Sequence, residues 1–108
     1  MMNNIAPLEG ILIRKIQEAY AFDSFHHARM LWQMGDIDGA LEELDVATVF
    51  NPSNPEAFVL RGILLAKKGR KISAQNEIRF ALNLGGTNWK YAPLVQETLK
   101  KVERSAAG

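Results

Sequence analysis

His26-His27 is the first pair whose residue type suits metal binding or proton transfer. Adjacent residues on a helix point about 100° apart, so the two rings cannot close on one ion. No histidine four positions away and no nearby acid pair completes a site. The spacing predicts one surface histidine and one half-buried one. Asp36-Ile37-Asp38-Gly39 opens like a calcium loop, but the later ligands and the closing glutamate do not follow at the required spacing. Helix capping is the expected role of these aspartates. Glu42-Glu43 and Asp45, with Glu18 and Asp23, read as a solvated face or a mild acidic patch. Lys67-Lys68 and Arg70-Lys71 form the one basic cluster, suited to an acidic partner or a phosphate, with solvated turn charge as the default. No nucleophile–base pair, glycine-rich phosphate loop or zinc motif occurs. The expectation is a protein that is not an enzyme, with no cofactor and no metal.

Composition narrows the class further. Thirteen Lys and Arg against twelve Asp and Glu leave a formal charge of +1, which asks for neither nucleic acid nor an anionic membrane. Cysteine is absent, which removes disulfides, thiolate catalysis and Cys-based zinc sites. A chain of 108 residues predicts one domain, and 47% hydrophobic residues supply an ordinary core. Met1-Met2-Asn3-Asn4 lacks the basic lead of a signal peptide. No apolar run approaches the ~20 residues needed to span a bilayer. A soluble, cytoplasmic protein is expected.

The elements that would carry these residues are all helical. Leu8, Ile11, Leu12, Ile16, Ala19 and Tyr20 recur at helical spacing behind Pro7, which predicts a helix over 7–20. That helix is expected to pack on the next hairpin and on something else. Asp23 or Ser24 is placed to cap a second helix, although no glycine or proline stops the two from running together. Gly35 ends the second helix and Asp36 or Asp38 caps a third. Asn51-Pro52-Ser53-Asn54-Pro55 is a clear break, with Asn54 as the next cap. The fourth helix stops at Gly69, and the fifth begins near Ile72 or Ser73 and stops at Gly85-Gly86. Pro93 opens a last helix, whose Val95, Leu99 and Val102 lie opposite Gln96, Lys100, Lys101 and Glu103. Ser105 to Gly108 should fray.

Residues 21–88 are one pattern written twice. A shift of 34 carries Ala28 onto Gly62, Leu31 onto Leu65, Gly35 onto Gly69, Ala40 onto Ala74, Leu44 onto Ile78 and Ala47 onto Ala81. Small residues meet small and large aliphatic residues meet large aliphatic. Such a period marks a unit that buries its apolar face against a copy of itself.

In these residues the pattern resembles the tetratricopeptide repeat, a 34-residue helix–turn–helix unit with a small residue in the first helix and two alanines in the second. The alanines match at Ala40 and Ala47, then Ala74 and Ala81; the small residue is Ala28, then Gly62; the closing proline is Pro52. Where two helices cross closely, a side chain beyond a methyl pushes the backbones apart. The chain departs from the family at Ser24 and Phe58, where it has tryptophan, and at Gly86, where it has proline.

The resemblance implies an all-α fold of antiparallel helical hairpins in a short right-handed superhelical stack with a C-terminal capping helix. One domain over 1–108 would divide into an N-terminal helix (1–20), repeats at 21–54 and 55–88, and a capping helix and tail (89–108). It implies a protein-binding scaffold or adaptor whose first helices line a concave groove. Carried onto this chain, the partner-binding residues are Phe22, Phe25, Arg29, Trp32 and Gln33, then Glu56, Val59, Ile63, Ala66 and Lys67. Phe25, Arg29, Leu60 and Ile63 suit an apolar peptide or amphipathic helix. Two other readings are a small chaperone or assembly factor for a secretion-type or multi-subunit complex, and a self-assembling structural unit. Ile5, Leu8, Ile11, Leu12, Ile13 and Ile16 make the first helix very apolar, so a homo-oligomer through it is also expected.

Overall fold

The computed structural model describes residues 5–107 as five helices joined by short turns, with no strand among them. They are α1 (Ala6–Gln33), α2 (Ile37–Phe50), α3 (Pro55–Lys67), α4 (Lys71–Gly85) and α5 (Ala92–Ala107). The chain divides into two compact units, residues 1–52 and 53–108, and the division falls inside the Asn51 to Pro55 break.

The first unit is the hairpin of α1 and α2. Gly35, at φ 87°, takes the left-handed conformation that turns the chain. Asp36 N–H donates to the Leu31 carbonyl at 2.8 Å and Gly35 N–H to that of Trp32 at 2.9 Å, which satisfies carbonyls left open at the helix end. Asp36 then caps α2, its Oδ1 accepting from Gly39 N–H at 2.9 Å. The hairpin core is Ala21, Ser24 and Ala28 of α1 with Ala40, Leu44 and Ala47 of α2. Buried Thr48 Oγ1 donates back to the Leu44 carbonyl at 2.9 Å, so its hydroxyl is satisfied within the helix.

The second unit repeats this construction and adds α5. Gly69 turns the chain at φ 82°, and Arg70 N–H and Gly69 N–H donate to the Leu65 and Ala66 carbonyls at 2.9 and 3.0 Å. Each donor and acceptor is the first hairpin's, shifted by 34 residues. Asn54 caps α3 by accepting from Glu56 N–H at 3.1 Å, with Pro55 in the first turn. Ala57, Leu60, Gly62, Leu64 and Leu65 of α3 are buried, as are Ala74, Ile78 and Ala81 of α4. The close crossing has a direct sign: a Cβ on Gly62 would stand 2.6 Å from Ile78 Cγ1 and 3.1 Å from the Ala74 carbonyl oxygen. Gly86, at φ 79°, ends α4, and α5 packs on α4 through buried Ala92, Val95 and Val102.

The sequence leaves open whether residues 7–34 form one helix or two, and the structure has one: α1 runs 28 residues, with Ala21 and Ser24 in the hairpin core. The packing expected of its first half needs correction. Its first half does not pack on the hairpin. α2 has only 14 residues, so α1 at ~1.5 Å per residue runs on ~20 Å past the end of its partner. Tyr20 meets Phe50 edge-on at 5.1 Å, and every residue from Ile5 to Tyr20 is exposed. α4 begins at Lys71, with no side-chain cap from Arg70. α5 is helical through Ala107, and Gly108 lies outside the described residues.

Candidate functional site

On α1, Phe22, Phe25, Arg29, Trp32 and Gln33 share a strip roughly 100° wide beside the core residues Ala21 and Ala28. Phe22 is 62% exposed and Trp32 37%, while Phe25 is half-buried and Arg29 and Gln33 are exposed. Phe22 meets the His26 ring edge-on at 4.2 Å, and the Arg29 guanidinium carbon lies 6.0 Å from the Phe25 ring centre. The strip is thus an aromatic surface with one cation at the outer edge of contact with it. Because α1 is continuous, Trp32 cannot pack beneath residues 7–20: both belong to the same rod.

On α3, Glu56, Val59, Ile63, Ala66 and Lys67 share the equivalent strip, one 34-residue shift along. Val59, Ile63 and Ala66 are half-buried, and Glu56 and Lys67 are exposed at its two ends. Leu60 is not on this surface. It is 7% exposed and belongs to the core, so it cannot contact a partner as expected from the sequence.

Sequence reading missed what α5 adds beside α3. Ile63, Ala66 and Lys67 line an open cavity of about 260 Å³ with Lys71, Thr98, Lys101, Val102 and Ser105. Lys71 Nζ donates to the Ser105 carbonyl at 2.6 Å and ties the start of α4 to the end of α5. Lys101 had been set on the plain polar side of the last helix; it stands at this cavity instead. The one available signal was Thr98 and Val102, four residues apart on the edge of the Val95 stripe.

The charges flanking these strips are unevenly divided. Residues 1–52 carry three Lys and Arg against eight Asp and Glu, and residues 53–108 carry ten against four, which places the units at −5 and +6. The near-neutral total conceals an acidic unit and a basic one.

The residues singled out for chemistry stay apart. His26 is half-buried between Phe22 and Phe25, and His27 is exposed with its Nδ1 3.4 Å from Glu43 Oε1. Arg61 and Glu77 hold the same two positions in the second hairpin, at 3.8 Å. Among the described residues no three His, Cys, Asp or Glu side chains gather as a metal site. No described helix is long and apolar enough to cross a membrane. The chain matches no family model, and no curated protein matches it.

Proposed function

We propose that the chain is a protein-interaction scaffold of the tetratricopeptide-repeat type, in which the exposed strip of α1 and the equivalent strip of α3 each offer a surface to an apolar peptide or an amphipathic helix. The observation that carries this reading is the exposure of Phe22 and Trp32 on one strip of α1. A largely exposed Phe22 and a Trp32 exposed over about a third of its surface suit a binding surface, and aromatic anchors dominate the energy of many interfaces. Val59 and Ile63 at the shifted positions of α3 support the same use of the second hairpin. The matching turns, glycines and cross-hairpin pairs favour the repeat assignment.

The test is positional. A photo-crosslinking residue is placed at Phe22, at Val59 and at Ile72, an exposed position at the start of α4. The reading expects adducts with one common partner from the first two positions and none from Ile72. Adducts confined to Ile72 overturn it.

A further inference from the structure

The first half of α1 carries an exposed apolar face of its own, separate from the strips. Leu8, Leu12, Ile16 and Tyr20 follow one another at four-residue spacing and make a continuous apolar ridge. Its middle is turned roughly a third of a revolution from the buried Ala21, Ser24 and Ala28 of the same helix, and its hairpin end, Tyr20, meets Phe50 of α2. Ile16 is 68% exposed, and Leu8, Leu12 and Tyr20 are each about half exposed.

The charge is compatible with a copy of itself. Within residues 5–20, Glu9 and Glu18 balance Arg14 and Lys15, so the segment carries no net field to repel its own kind.

We propose that the occupant of this ridge is a second copy of the chain, docked antiparallel about a two-fold axis near Leu12. Leu8 of one chain then faces Ile16 of the other. The direction follows from the charges within the segment. With Leu12 on the axis, the antiparallel pair sets Glu9 of one chain opposite Lys15 of the other, whereas a parallel pair in register sets each charge opposite its own like.

Sedimentation velocity on the whole chain tests the pairing. The wild type is expected at twice 12.1 kDa. Ile16→Glu is expected to raise the dissociation constant by about tenfold or more while matching the melting temperature of the wild type measured at concentrations where both are monomeric. The absence of cysteine allows a second measurement. Leu8→Cys chains mixed with Ile16→Cys chains are expected to form the mixed disulfide in preference to either self-disulfide. A wild-type monomer at high micromolar loading, self-disulfides in place of the mixed one, or an Ile16→Glu dimer as tight as the parent each overturn the proposal. Because the ridge excludes Phe22, Trp32, Val59 and Ile63, its failure leaves the reading of the strips standing.

Discussion

Gly62 lies against Ile78 so closely that a methyl group on it would meet the Ile78 Cγ1 at 2.6 Å. Neither neighbour gives way easily. Ile78 is fully buried, and the other close atom is a backbone oxygen of α4 at 3.1 Å. Gly62→Ala gains about 1 kcal/mol of helix propensity and loses about 1–3 kcal/mol to overpacking. A net loss on the order of 1 kcal/mol is expected in chemical denaturation. The first hairpin holds Ala28 opposite Leu44 at the equivalent positions, so adding Ile78→Leu should recover part of the loss. A double variant no better than the sum of its parts would deny that the two crossings are equivalent.

The alanines of the second helices should behave alike. Ala40 and Ala74 are both fully buried at the same place in their hairpins. Ala40→Leu and Ala74→Leu should each cost about 1–3 kcal/mol. A thermal melt that finds either variant as stable as the parent counts against close helix crossing.

The turn glycines give a comparison free of packing. Nothing lies within 4 Å of a Cβ added at Gly35 or Gly69, and both hold a left-handed φ, 87° and 82°. Gly35→Ala and Gly69→Ala should each lose about 1–2 kcal/mol from the backbone alone. Denaturation midpoints that rise in either variant would contradict the turn conformation.

The hairpins were legible because each rests on local physics. A glycine that must turn left, an aspartate or asparagine that must cap, and small residues at each crossing can be read without coordinates. The run-on of α1 was not decidable, since Ala21-Phe22-Asp23-Ser24 neither breaks nor demands a helix. Only the entry of Ala21 and Ser24 into the core settles it. Leu60 was misplaced because helical spacing locates a residue to within about one position's 100° step, and Leu60 sits at the edge of the strip. The cavity by Lys101 depends on how α5 meets α3 and α4, which no local pattern encodes.

The contact of His27 with Glu43 and the ion pair of Arg61 with Glu77 should differ in value. His27 and Glu43 have side chains 55% and 31% exposed, against 29% and 23% for Arg61 and Glu77. Exposed pairs contribute about 0–1 kcal/mol. Double-mutant cycles to alanine should therefore give a larger coupling for Arg61 with Glu77 than for His27 with Glu43. The opposite order would show that exposure does not govern these pairs.

The account stands most directly on partner capture by strip variants. Trp32→Ala and Ile63→Glu should each weaken capture of a native partner by about 1–3 kcal/mol, the range for an anchor residue, while circular dichroism stays near wild type. Lys100→Glu serves as the control. Lys100 is exposed on α5, with its Nζ 3.7 Å from Glu97 Oε1, and is not among the residues lining the cavity beside α3. It should leave capture unchanged. Full capture by both strip variants, with loss in Lys100→Glu, would place the binding face elsewhere on the molecule and contradict the account.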